Sequence, residues 1–314
     1  MTSVFDKFFP VPDFLRMPVV GISFSDTALV YSEVRRKKTL LHVDTLQSIA
    51  LTQGDIVHGE IQNGDALVAQ IRSIAKATSS SFAAISIPED IVYTFTLTIP
   101  KVDHHEIPAA IEFQLEEHIP IAPEELIVDF DVLHEGAFKQ TIKVSAIEKK
   151  HYNAYREVLA LGGLSLVHVE SDMESLARIT ALPHDAPSML VVAHPQHLRI
   201  GLHTYGALIS TTTQPIEHDI NKDAVHACEH IHQYIFHDLN IQDAHADDAF
   251  TIRIVGDPAL RDPVSACMSD AFQANVLTAT WKEEIDTWIQ SQSKNMDTAD
   301  MVSLGVSYSS LMYD

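Results

Sequence analysis

Cysteine is almost absent from this chain: Cys228 and Cys267 are the two thiols in 314 residues. So few exclude a disulfide scaffold. Both fall on apolar stripes of predicted helices, as buried thiols of a reducing compartment do, rather than at the ends of a bridge. Basic residues are scarce too, 21 Lys and Arg against 43 Asp and Glu, for a formal net charge of −22. That charge opposes a phosphate backbone or an anionic lipid surface, which argues against nucleic acid as a partner. It attracts a basic peptide, such as the tail flanking a membrane span. No segment approaches the ~20 continuous apolar residues of such a span. The first thirty residues hold Asp6, Pro10, Pro12 and Asp13 instead of a signal-peptide core. The expected location is therefore the cytoplasm.

What is present is an ordinary globular composition, 46% hydrophobic, enough to bury substantial cores in one or two interleaved domains. Residues 1–17 are aromatic-rich and broken by prolines, so they read as an arm packed on the domain, with a membrane or partner contact as the alternative. From Pro18 the pattern turns to strands, over 19–24, 28–34 and 39–48. A helix over 64–77 carries Leu67, Ile71 and Ile74 on one face. The strand 82–87 follows. A small β-α-β-β-α unit fills 88–162. Its first helix is announced by Asp103 with Glu106 at capping-box spacing, and its second stops at Gly162-Gly163. A second round then runs through a strand, a helix over 172–180, hairpins over 189–213, a helix over 222–239, a strand over 251–255, a helix over 264–272 and a closing helix over 299–311. Two sheet-first halves with a unit inserted in the first suggest a duplicated α/β architecture.

Several motifs suggest chemistry. His226-Ala227-Cys228-Glu229-His230 matches the inverted zinc-peptidase pattern. At about 100° per residue, however, His226, His230 and His237 share the polar face of their helix, opposite Cys228, Ile231 and Ile235. With no third ligand or cleft indicated, this reads as a solvated histidine face, and no metal is expected. Acid pairs such as Glu116-Glu117 read as solvated surface. Phe113 lies off the Ile107, Ile111 and Leu115 stripe, among glutamates, and so is either a partner contact or packed under a neighbouring element.

Taken together, several stretches resemble the PilM family of type IV pilus assembly proteins, whose fold is actin-like and related to that of FtsA. These are Phe14-Leu15-Arg16-Met17-Pro18-Val19-Val20-Gly21-Ile22, Gly54-Asp55-Ile56-Val57-His58-Gly59-Glu60-Ile61, Ala110-Ile111-Glu112-Phe113-Gln114-Leu115-Glu116-Glu117-His118-Ile119-Pro120 and Met301-Val302-Ser303-Leu304-Gly305-Val306. The resemblance implies an α/β, actin-like two-lobed fold. Residues 18–87 and about 163–180 form the first lobe with closing helix 299–312, residues 88–162 the inserted subdomain, and residues 181–298 a shortened second lobe.

It also implies a nucleotide site, and the matching positions have lost their charges. Gly21 and Ser23 stand where a Gly-Ile-Asp turn is expected, followed by Ser25 and Asp26. The second phosphate loop reads Ala193-His194-Pro195, and the adenine turn Gly256-Asp257. The expectation is a degenerate site holding no cofactor, with an ATP- and magnesium-dependent switch as the alternative and an FtsA-like filament as another. The implied partner is the N-terminal tail of a PilN-like inner-membrane protein, which would recruit the chain to the inner face of the cytoplasmic membrane. Phe113, Ile119, Pro120 and Phe130 are the groove residues expected to hold it. Other platform proteins and a second copy of the chain are further partners left open.

Overall fold

The computed structural model describes residues 18–37, 40–182, 187–194, 197–216, 251–256, 258–272, 275–278 and 297–310. The N-terminal arm, Cys228, the His226–His230 motif with its helix, and Asp257 lie outside them, as does the Cys267 side chain.

The chain opens as an antiparallel meander of β1 (Val19–Phe24), β2 (Ala28–Lys37) and β3 (Leu40–Ala50). A short hairpin, β4 (Ile56–Val57) with β5 (Glu60–Ile61), leads into α1 (Gly64–Thr78). Asn63 caps α1 by accepting from the Ala66 amide, and Leu67, Ile71 and Ile74 turn their buried face inward. After β6 (Phe82–Ile87) comes β7 (Val92–Pro100) and then α2 (Ile107–His118). The Asp103–Glu106 capping box forms on the turn that feeds α2. β8 (Leu126–Glu135) and β9 (Lys139–Glu148) make a hairpin, followed by α3 (Lys149–Gly162). The helix includes Gly162, and Gly163, at φ +94°, is the left-handed residue that ends it. Then come β10 (Ser165–Ser171), α4 (Asp172–Ile179), β11 (Ser188–Ala193), β12 (His197–Thr204), β13 (Ala207–Pro215), β14 (Thr251–Gly256), α5 (Pro258–Phe272), β15 (Asn275–Thr278) and α6 (Thr298–Ser310).

Two compact units result. One holds the described residues of Met1–Pro88, Asn153–Ser175 and Ala299–Asp314. Its sheet has the order β10-β6-β1-β2-β3, with β1, β6 and β10 parallel. Residues 300–308 of α6 are all buried, and a hydroxyl cluster ties this helix to β2. Ser32 Oγ donates to Ser303 O (2.9 Å), Ser307 Oγ donates to Ser32 O (2.9 Å), and Ser303 Oγ donates to Ser32 Oγ (3.0 Å). Small side chains let the backbones approach this closely.

The other unit holds the described residues of Glu89–Tyr152 and Leu176–Thr298. It contains a five-stranded sheet, β13-β12-β11-β14-β15, and a three-stranded sheet, β7-β9-β8. The first covers its core with Val264 and Met268 of α5. The second is covered by Ile107, Ile111 and Leu115 of α2, each contributing roughly 2 kcal/mol through burial. Leu133 of β8 packs against the first core, Arg199 pairs with Asp90 and Thr211 Oγ1 donates to Glu89. The two sheets thus belong to one unit.

Candidate functional site

The turn between β1 and β2 carries the first set of candidate residues, and each has an internal role. A Cβ on Gly21 would lie 2.0 Å from Ser307 Oγ and 2.7 Å from Ser307 N, so only glycine admits α6 here. Ser23 is buried. Ser25 Oγ closes its own turn, donating to Ala28 O (2.9 Å) and accepting from Ala28 N (3.1 Å). The Asp26 carboxylate accepts from the amides of His58 (2.9 Å) and Gly59 (3.2 Å) in the β4–β5 turn, where φ is +50° and +77°. Two successive amides in left-handed conformation form a small anion cradle, and a side chain of the same unit fills it.

Behind this turn, Phe24 meets Tyr155 edge to face with ring centroids 5.0 Å apart. The Tyr155 hydroxyl donates to Gly59 O at 2.8 Å. Burial, reinforced by the Asp26 and Asp172 carboxylates, pushes the Tyr155 phenol far above its ordinary value of 10.0. At the ends of the parallel strands, Ser23 pairs in register with Ser86, and Ser86 with Glu170. The buried Glu170 carboxylate accepts from Ser175 Oγ (2.6 Å) and meets His168 Nε2 (2.9 Å).

In the second unit, the His194 amide donates to His197 O (3.0 Å), the two imidazoles stack, and His194 is exposed. Gly256, at φ +142°, faces Ala193 in register, and its missing Cβ would lie 2.6 Å from Ala193 O. Among the described residues there is no group of three or more His, Cys, Asp or Glu placed to hold a metal ion.

A second candidate is an apolar groove of about 280 Å³ between α2 and β8. Pro108, Ile111, Leu115, Pro123, Val128 and Phe130 form its apolar surface, and Glu112, Glu124 and Asp129 add carboxylates. α2 positions Ile111 and Leu115 one turn apart, so both look onto β8. β8 is an outer strand of its sheet. The Phe130 amide donates to its neighbour Asp129 Oδ1 at 2.9 Å, which holds a main-chain donor of the outer strand without using β9. His104 leans on Phe130, with ring centroids 5.3 Å apart.

Of the four groove residues expected from sequence, Phe130 lines this groove. Ile119 is sealed in the core beneath it, and Pro120 is exposed beyond the end of α2. Phe113 is 86% exposed, because two residues beyond Ile111 is about 200° around the helix. Sequence reading missed Pro108, Glu112, Pro123, Glu124, Val128 and Asp129. The signal that could have found them is the pairing of the Ile111/Leu115 stripe with the alternation Val128, Phe130 on the outer strand.

The family model for type IV pilus assembly protein PilM matches residues 21–190, more than half of the chain. Among solved structures, the chain is similar to one described as the PilM-PilN type IV pilus biogenesis complex, at 16% identity and TM-score 0.70 over 94% of this chain and 99% of that one. It is also similar to the cytoplasmic domain of EpsL, an inner-membrane component of the Vibrio cholerae type II secretion system. There the identity is 11% and the TM-score 0.50, over 91% of this chain and 93% of that one. No curated protein matches. With these neighbours the mixed α/β fold is of the actin-like class.

Proposed function

Because the chain belongs to the family of the type IV pilus assembly protein PilM, we propose that it acts in pilus assembly as a non-enzymatic adaptor for the N-terminal tail of a PilN-like inner-membrane protein. The observation that carries this reading is the α2–β8 groove, apolar inside and acidic at its edge, beside an outer strand. An extended peptide can add to such an edge through its main chain while one apolar side chain enters the groove. Basic residues flanking that anchor would meet Glu112, Glu124 and Asp129. The structure of a PilM-PilN complex among the fold's neighbours makes a PilN-like tail the first peptide to try. Among the described residues no helix is long and apolar enough to cross a membrane, so recruitment to the inner face of the cytoplasmic membrane would run through this partner.

The residues of the β1–β2 turn do not fit a magnesium nucleotide. Ser23 offers a buried hydroxyl where a carboxylate would order the metal's water shell. The Asp26 carboxylate already occupies the nearby amide pair. A degenerate nucleotide site is therefore part of the proposal, and no step is assigned to ATP.

Calorimetric titration with a synthetic PilN-like tail, with and without ATP and magnesium, tests both parts. We expect binding that ignores nucleotide. Reversing the charge of Glu112 and Glu124 to lysine should weaken it by about tenfold, or ~1.4 kcal/mol, without lowering the melting temperature. Binding that requires ATP would replace the adaptor by a switch. Absence of binding in either condition would remove the tail as partner.

A further inference from the structure

The outer strand β8 turns one row of main-chain groups away from β9, and two donors of that row show how it is closed. The Leu126 amide donates to Pro123 O, and the Phe130 amide donates to Asp129 Oδ1 at 2.9 Å. Main-chain direction alternates along an antiparallel strand, so Leu126, Val128 and Phe130 share the outward row. Their side chains share the face that packs with α2. An extended segment added at this edge meets the row with its main chain and puts alternate side chains into the groove. Leu126 is closed by main chain, in the turn that feeds the strand. Phe130 is closed by an exposed side chain, which withdraws by a change of rotamer.

Charge sets what can make it withdraw. Glu112, Glu124 and Asp129 line the groove, and among the described residues none of the three is ion-paired with Lys, Arg or His. A main-chain carbonyl that takes the Phe130 N–H leaves the Asp129 carboxylate without the bond it had, beside two other acids. A Lys or Arg next to that carbonyl replaces the lost bond with a charge-assisted one, the stronger kind.

We propose that Asp129 is a specificity-determining residue of the groove. Its carboxylate closes the outer strand at Phe130 and gives way to an extended segment that brings a main-chain carbonyl to the Phe130 amide and a Lys or Arg to Asp129 itself. The proposal rests on the tail reading and adds a selection rule to it. A segment without a cation meets a closed edge, whatever its apolar side chains.

The test titrates the full chain calorimetrically with a synthetic PilN-like tail and with the same tail carrying norleucine at every Lys and Arg. Wild type, Asp129→Asn and Asp129→Ala are compared. Asparagine keeps an oxygen for the Phe130 amide without the charge, and alanine removes both. Each substitution should cut the preference for the basic tail by about fivefold, the upper range for an exposed ion pair. Asp129→Ala alone should bind the norleucine tail about fivefold more tightly than wild type, because no hydrogen bond has to be given up at Phe130. In the free chain, hydrogen exchange at the Phe130 amide should quicken in Asp129→Ala and stay near wild type in Asp129→Asn. Unchanged melting temperatures separate these effects from unfolding. If the basic tail binds wild type but Asp129→Ala moves neither the preference nor the norleucine affinity, the proposal falls and the tail reading stands. Exchange at Phe130 that ignores Asp129→Ala would overturn the closure itself. A basic tail that binds none of the three proteins removes the tail reading and the proposal together.

Discussion

Replacing Gly21 with alanine puts a methyl carbon 2.0 Å from Ser307 Oγ, 2.7 Å from Ser307 N and 2.9 Å from Ser307 Cα. The hydroxyl can rotate away, but the two main-chain atoms belong to a buried helix and cannot. α6 must retreat by most of an ångström, which overpacking experience prices at about 1–3 kcal/mol. The retreat also stretches the hydroxyl cluster of Ser32, Ser303 and Ser307, whose bonds contribute roughly 1 kcal/mol each. A loss of about 2–4 kcal/mol in denaturant unfolding is expected. Ser307→Ala should cost less in the Gly21→Ala background than alone, because the bond it deletes is already strained there, giving a coupling of about 1 kcal/mol in the double-mutant cycle. A Gly21→Ala protein within about 0.5 kcal/mol of wild type would refute the packing account and return this glycine to the nucleotide expectation.

The remaining predictions concern the same unit. Tyr155 ionises more readily unfolded than folded, since its folded phenol is held above 10.0. Its contribution is therefore complete below pH 10 and lost as pH rises further. Stability measured between pH 9 and 12 should fall more gently in Tyr155→Phe than in wild type; Tyr31, also raised by burial and Glu33, acts in both proteins, and parallel profiles would contradict this. Asp26→Ala removes the acceptor of the His58 and Gly59 amides, at a cost of about 1–3 kcal/mol. Hydrogen exchange at those two amides should accelerate ahead of the rest of the sheet, and unchanged protection there would show that the carboxylate does not hold the turn.

Much of the fold was legible because its signals are local. The α1 stripe of Leu67, Ile71 and Ile74, the Asp103–Glu106 box and the Gly162-Gly163 stop each lie within a few residues of the structure they specify. The β4–β5 hairpin was not legible, since two-residue strands show no period. The start of α5 was placed after Pro263, yet the helix begins at Pro258 and carries Pro263 inside. That proline forfeits one bond near the helix start, to the carbonyl of residue 259, which the helix tolerates. The site was less legible than the fold. Gly21 meets Ser307 across 286 positions of sequence, and no spacing rule reports such a contact. Phe113 drew attention because it interrupts a polar face, whereas Val128 and Asp129, which line the groove, look like any alternating strand.

The surroundings of β1 disfavour a carboxylate at position 23. In the row Ser23, Ser86, Glu170 the outer members lie two strands apart, about 10 Å at the usual strand spacing. A carboxylate at position 23 would oppose Glu170 by roughly 1–2 kcal/mol at an effective dielectric of ~20, and burial would add several more. A bound cation offsets both terms. Without one, serine is the cheaper occupant: it is uncharged and demands a single hydrogen bond. Glu170 is held by contacts to His168 and Ser175. Asp26 is held by two amides of the β4–β5 turn. Both acids therefore have partners in their own unit, as the proposed degenerate site requires.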